Sequence, residues 1–291
     1  MKNIDIIAAC SDLGVHVDGS KIGPEILINN IDKNNINKIK KINYDNNYIK
    51  ELEKNNKRKN LDEINLFNQK LYNEVKNTLE NNLLPITLGG DHSIAIASSL
   101  ASINKYNNLG IIWFDAHGDF HTFDTTSSGN IHGLPFAVAT GYEKKLLTDF
   151  HTGNYFNFKN AVLLGARDID QPYELDNLKQ AGVTIITTQD IKKYGMDAMY
   201  KKAFEIASNG TNGIHISYDL DCIDSDIAPG VSIPVKNGLN LDEAYCFVDY
   251  ILKNKEKIKS IDLVELNPLR DIDKITEKIA LNILNKLIKN L

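Results

Sequence analysis

The 291-residue chain is 42% hydrophobic and carries a formal net charge of -5. That length allows one large α/β domain or two small ones, with enough apolar content for a substantial core. With no basic surplus to neutralise phosphates, the composition argues against a nucleic-acid partner.

Ile4 to Ala9 reads as a first short, apolar strand. A Gly-punctuated loop follows from Ser11 to Pro24, and Pro24 suits the first turn of a helix. The Lys- and Asn-rich stretch from Asn29 to Asn60 reads as a solvated surface, with a short strand near Ile39 to Ile42. Leu61 to Leu83 has apolar residues in steps of three and four, the period of an amphipathic helix. Leu84 to Leu88 is a buried strand that runs into Gly89-Gly90-Asp91-His92-Ser93, and a helix follows from Ile94 to Ser102. The Gly pair allows a sharp turn and close backbone approach, so His92 is expected just past a strand, at a helix start.

Leu109 to Ile112 leads into Trp113-Phe114-Asp115-Ala116-His117-Gly118-Asp119. If the chain stays extended there, Asp115, His117 and Asp119 project to one side. A single Asp-x-His is common by chance, and His117 could simply pair with Asp115 at a strand end. A long loop rich in hydroxyls and amides then spans Phe120 to Gly133, of a length more often functional than idle. A helix is expected near Leu134-Pro135.

Ala161 to Gly165 is a strand, Tyr173 to Ala181 a helix, Val183 to Thr187 a strand and Met196 to Ser208 a helix. Ile214 to Asp221 reads as a strand ending in carboxylates, with Asp219 and Asp221 again two apart. Leu241 to Lys253 is a helix, Ile261 to Leu266 a last strand, and Ile272 to Leu291 a closing helix. Strands and helices alternate without linker or repeat, which predicts one doubly wound α/β domain over residues 1–291, its mostly parallel sheet flanked by helices. Ligands of such a fold lie outside the carboxyl ends of the strands, where every candidate group falls.

Cys10, Cys222 and Cys246 are far apart and form no C-x-x-C pair, which points to a reducing compartment and no zinc knuckle. The start, Met1 to Ile6, is too short and polar for a signal peptide, and no apolar stretch reaches the length of a membrane span. A cytoplasmic location with no membrane partner is expected.

His92, Asp115, His117, Asp119, Asp219 and Asp221 together offer four carboxylates and two imidazoles. Buried without a cation, the acids would repel one another and destabilise the fold. Mixed oxygen and imidazole donors suit manganese, iron, zinc or cobalt, and carboxylates can bridge two ions.

Gly-Gly-Asp-His-Ser (89–93), Asp-Ala-His-Gly-Asp (115–119) and Ser-Tyr-Asp-Leu-Asp (217–221) resemble the three signature motifs of the ureohydrolase family, in family order. That family holds arginases, agmatinases and formimidoylglutamases. The resemblance implies a hydrolase of small guanidino substrates with two manganese ions per subunit. His92, Asp115, Asp119 and Asp219 match the ligands of one ion, and Asp115, His117, Asp219 and Asp221 those of the other. Ser128 to Gly133 resembles the arginase substrate loop, which implies hydrolysis of L-arginine to L-ornithine and urea. His132 matches a proton shuttle; Asp119 and Glu265 match catalytic carboxylates, Glu265 orienting the guanidinium. Ser128 and Asn130 match groups that hold an α-carboxylate, and Asp170 one that meets an α-amino group. His121 stands where arginases carry an Asn, and Ala228 to Pro234 is similar to agmatinase and formimidoylglutamase relatives, so those two activities are alternatives, with a non-catalytic metal- or ligand-binding protein on the same scaffold ranked below them. The family also implies a homo-oligomer, trimer or hexamer.

His16, His151 and His215 have no motif support and are expected as surface or strand residues. Arg167 and Asp168 are expected to make structural hydrogen bonds or an ion pair between subunits, and Cys222 to be inert and point away from the acids.

Overall fold

Each apolar run of the sequence is too short to be stable alone and too hydrophobic on both sides to face water, so it needs cover on two faces. The computed structural model, which describes residues 3–45, 47–53, 56–144 and 147–291, shows how that cover is supplied. Met1 and Lys2, part of the stretch read for a signal peptide, and three positions of the Lys/Asn-rich stretch lie outside the described residues.

The strands are β1 (Ile4–Cys10), β2 (Ile36–Asn43), β3 (Leu84–Gly89), β4 (Gly110–Phe114), β5 (Ala161–Ala166), β6 (Thr184–Thr187), β7 (Ile214–Asp219) and β8 (Ile258–Val264). They form one eight-stranded sheet in the order β2-β1-β3-β8-β7-β4-β5-β6. Every pairing is parallel. The helices are α1 (Gly23–Asn30), α2 (Leu61–Glu80), α3 (Ala95–Tyr106), α4 (Pro135–Ala139), α5 (Tyr173–Ala181), α6 (Thr188–Tyr194), α7 (Met196–Ser208), α8 (Leu241–Lys253) and α9 (Ile275–Asn290). This is the expected single α/β domain with helices on both faces, its sheet wholly rather than mostly parallel.

Strand β4 shows how the sequence divides the core. Ile112 and Phe114 face one apolar cluster, with Tyr200 of α7, Phe247 of α8 and Ile283 of α9. Ile111 and Trp113 face the other, with Phe67 of α2 and Leu100 of α3. The period of two thus serves both layers. The edge strand β2 alternates poorly and carries Lys38, Lys40 and Lys41, charges that discourage pairing with another chain.

β7 departs from this pattern. Its residues Ile214, Ile216 and Tyr218 are core, but His215 and Ser217 on the opposite face are buried and polar. His215 bonds Ser260 of β8 through Nδ1 at 2.7 Å and lies 3.1 Å from Asp262, which accepts a hydrogen bond from Ser98 of α3. His215 is therefore a partnered core histidine. Arg167 donates to the carbonyls of Asp221, Cys222, Ile223, Val235 and Lys236, a structural role as expected. Cys222 is fully buried. Among the described residues, no helix is long and apolar enough to cross a membrane.

Two differences from the sequence reading concern the chain just past its strands. Helix α6 was not expected. A capping box starts it: Thr187 accepts from Asp190 N, and the Asp190 carboxylate accepts from Thr187 N. The last two strands are also shifted. β7 ends at Asp219, and Leu220–Cys222 is a 3-10 turn. β8 starts at Ile258 and ends at Val264, so Glu265 lies beyond it.

Candidate metal centre

The sheet order explains why distant residues meet. His92 follows β3, Asp115 to Asp119 follow β4, Asp219 ends β7 and Glu265 follows β8. These are the four adjacent strands β3-β8-β7-β4. Their carboxyl ends open on a cavity of about 250 Å³ lined by His92, His117, Asp119, Asp219, Asp221 and Glu265 at its inner part. His121, Ser128, Asn130, His132 and Asp170 also line it.

Asp115, His117 and Asp119 do not project from an extended strand. β4 stops at Phe114, and Asp119 sits at φ 47°, in the left-handed region. Asp115, His117 and Asp119 converge because the chain turns after the strand. Backbone groups set this turn: His117 N donates to Asp115 Oδ1 at 2.7 Å, and Asp115 N donates to Leu164 O. Trp113 Nε1 donates to Asp115 Oδ2 at 3.0 Å, and its ring stacks on His92 with centroids 4.2 Å apart.

Two groups of donors result. His92 Nδ1 lies 3.0 Å from Asp115 Oδ2, 3.1 Å from Asp119 Oδ2 and 3.0 Å from Asp219 Oδ2. His117 Nδ1 lies 2.9 Å from Asp221 Oδ2 and 3.5 Å from Asp115 Oδ1. His92, Asp115 and Asp119 can hold one metal ion, and Asp115, His117 and Asp221 another, with Asp115 shared. The fit is tested by the atoms left over. Among the described residues, the buried His92 Nδ1 makes no hydrogen bond despite its three carboxylate neighbours, and Asp119 Oδ2 likewise has none. Orphaned buried donors and acceptors are rare and need a reason. A cation shared by these atoms is such a reason. His92 Nε2 contacts Ser217 Oγ at 2.8 Å, the outer hydrogen bond that commonly orients a ligating imidazole.

As protein groups alone, the acids are poorly matched to charge. Burial, then repulsion from Asp115, pushes Asp119 up to about 7. Burial and the neighbouring Asp221 and Asp115 carry Asp219 well above the ordinary carboxylate range. For His92, burial pulls downward, but contacts with Asp115, Asp119 and Asp219 outweigh it and hold the imidazole well above its usual value.

Glu265 joins the cluster to the loop. It sits at φ 69°, and its Oε1 accepts from His92 N at 2.8 Å and contacts His132 Nδ1 at 3.2 Å. Among the described residues its buried Oε2 makes no hydrogen bond, though the Ser232 side chain lies beside the carboxylate. Burial raises Glu265, but His132 outweighs this and holds it below the ordinary value. Burial lowers His132, and Glu265 reverses that, so the imidazole is raised.

At the mouth, His121 Nε2 contacts Asp170 Oδ2 at 3.1 Å. The sequence reading of the site missed several cavity residues. His16 and Asp168 line the mouth, and Ile233 and Glu174 complete the wall. Glu174 accepts from Phe120 N and Asp170 N, so it fixes the backbone of both neighbouring loops. The one local trace of it is Gly118, where a Cβ would fall 2.6 Å from the Glu174 carboxyl carbon. His16, expected as a surface or strand residue, is exposed, and its Nδ1 lies 2.7 Å from Asn130 Nδ2. His151, expected as a surface or strand residue, is instead buried in a loop and bonded to Asn154 O.

The Arginase family sequence model matches residues 2–289. The arginase of Staphylococcus aureus (strain COL) is 40% identical over 226 residues, covering 77% of this chain and 74% of that one. The crystal structure of the Bacillus caldovelox arginase aligns with a TM-score of 0.92 and 30% identity, covering 99% of this chain and 98% of the other. The Entamoeba histolytica arginase, solved in complex with L-ornithine, aligns with a TM-score of 0.89 and 29% identity over 99% of this chain and 98% of that one. A whole-chain family match, a shared fold and a metal-competent His/Asp cluster agree: the chain belongs to the arginase family and is a hydrolytic amidinohydrolase.

Proposed function

We propose that this enzyme hydrolyses L-arginine to L-ornithine and urea, with two manganese ions per subunit. The observation that carries the reading is the pair of donor groups sharing Asp115, set beside Glu265 and His132 in one cavity. His92, Asp115, Asp119 and Asp219 would hold one ion; Asp115, His117, Asp219 and Asp221 would hold the other. When bound, two such cations supply Lewis acidity and a hydroxide nucleophile near neutral pH, and manganese suits this mixture of carboxylates and imidazoles.

The chain's own residues do the rest. Glu265 Oε2, buried and making no hydrogen bond among the described residues, accepts from the planar guanidinium and holds its carbon at the donor cluster. His132 is engaged with Glu265 through Nδ1, which leaves Nε2 to deliver a proton to the departing amine. Asp119 takes up the proton released when water becomes the nucleophile. Ser128 and Asn130 meet the α-carboxylate, with His121 beside them, and Asp170 meets the α-amino group.

The Entamoeba neighbour's bound L-ornithine, the product of this reaction, supports an amino-acid head group at the mouth. One contact favours the decarboxylated substrate agmatine as a second reading: His121, which stands where arginases carry an Asn that meets the α-carboxylate, is engaged with Asp170 instead. Formimidoylglutamate is a more distant alternative. The exposed side chains of Leu269 and Ile272 support the further reading that the protein is a homo-oligomer, trimer or hexamer, which light scattering would test.

The test is urea release from L-arginine and agmatine, side by side, with the manganese-loaded protein. Urea and L-ornithine from arginine, at a kcat/KM at least about a hundredfold above that for agmatine, is the expected result. A preference for agmatine would overturn the substrate reading and leave the metal reading standing.

A further inference from the structure

His16 belongs to the turn between β1 and α1, outside the three signature motifs. Its ring is solvent-accessible, yet the backbone on either side is pinned. Gly14 N donates to the buried Asp91 Oδ2 at 3.0 Å, and Gly14 O accepts from His132 N at 3.1 Å. Asn60 Nδ2 donates to Leu13 O at 2.8 Å, and Lys50 Nζ to Val17 O at 3.3 Å. No Cβ fits at Gly14, where it would fall 2.4 Å from Asp91 Oδ1. A surface histidine with so fixed a backbone is placed for a purpose.

Its partner shows what that purpose is. His16 Nδ1 and Asn130 Nδ2 lie 2.7 Å apart. Such a contact needs one N–H and one lone pair, and an amide can present either nitrogen or oxygen. If Asn130 donates to His16, it spends one N–H and turns its carbonyl toward the cavity. If the amide is reversed, His16 Nδ1–H donates to Asn130 Oδ1, and both amide N–H groups remain for the cavity. A carboxylate needs donors, so it selects the second arrangement, and only a partner able to donate at Nδ1 can support it.

We infer that His16 is a specificity-determining positioning residue: through Asn130 it sets the donor wall that recognises the carboxylate of a guanidino amino acid. This rests on the substrate reading above. Asn130 touches the substrate, and His16 acts by orienting it.

The experiment compares the manganese-loaded wild type with His16→Leu and His16→Gln, following urea from L-arginine and measuring metal content and melting temperature. In His16→Leu, KM for L-arginine rises about tenfold, the worth of one charge-assisted hydrogen bond, with kcat within about twofold. His16→Gln, whose side chain regains an N–H donor, recovers at least half of that loss on a logarithmic scale. Metal content and melting temperature stay at wild-type values, which separates positioning from unfolding. An unaltered KM in His16→Leu, or equal loss in both variants, overturns the role of His16 while the wild-type activity leaves the substrate reading intact. A wild type that releases no urea from L-arginine overturns that reading and this inference with it.

Discussion

Asp119 and Glu265 both hold left-handed backbone, at φ 47° and 69°, which costs a non-glycine residue energy and persists only where surroundings enforce it. At Glu265 the enforcement is visible: its N donates to Gly90 O, and its side chain caps His92 N. Glu265→Gln keeps size and backbone but loses the charge proposed to meet the guanidinium. We expect kcat/KM for L-arginine to fall about a hundredfold or more with bound metal retained, checked by steady-state kinetics and metal analysis. Trp113→Phe removes the indole N–H donor to Asp115 Oδ2 and should weaken metal binding about 10–100-fold, read by competition with a chelating dye. The residue types of this centre were legible because few buried structures tolerate four acids together. Their directions were not, because Asp115 to Asp119 turn where an extended chain was assumed.

Thr187 and Asp190 cap α6 through a reciprocal pair of hydrogen bonds. That signal is local and could have been read, but a seven-residue helix is too short to show a period. Thr187→Ala should cost about 1 kcal/mol of stability, seen in denaturant unfolding, with no change in kcat/KM. Long elements behaved differently: α2, α7 and α8 were readable to within a turn because their apolar stripes repeat several times. The Lys/Asn-rich stretch was misread in part. Lys57 Nζ reaches Asp124 O, Lys59 Nζ reaches Ser128 O and Asn60 reaches Leu13 O, so its last residues strap down the loops around the cavity. Lysine and asparagine are ordinary surface residues, and nothing local says that their partners are carbonyls 47 to 69 residues away. Lys59→Met should raise KM for L-arginine several-fold with little effect on kcat, read in the same urea assay, because the Ser128 loop loses its anchor.

For the whole molecule, the order β3-β8-β7-β4 brings the carboxyl ends of four strands together, and the alternation of strands and helices was enough to expect this. Which strands became neighbours was not readable, since β7 and β8 insert between β3 and β4 long after those are made. The acidic cluster also gives the molecule a pH signature. With a chelator present, folded Asp119 titrates near 7 and an unfolded Asp near 4, so the fold binds the extra proton between them and loses stability as pH rises through that window. His92, raised by its carboxylate neighbours, adds stability below about pH 6.5 that is lost as pH rises further. Cation binding takes the place of these protons. The melting temperature of chelated protein should therefore fall between pH 5.5 and 8, and the gap to manganese-loaded protein should widen; a narrowing gap would contradict this.

The central claim is a two-cation site that hydrolyses arginine, and its most direct test is a titration of chelated protein with manganese, following bound metal and urea release together. The account predicts no urea without metal and full activity at two ions per chain. Activity without metal, or saturation at one ion, would contradict it.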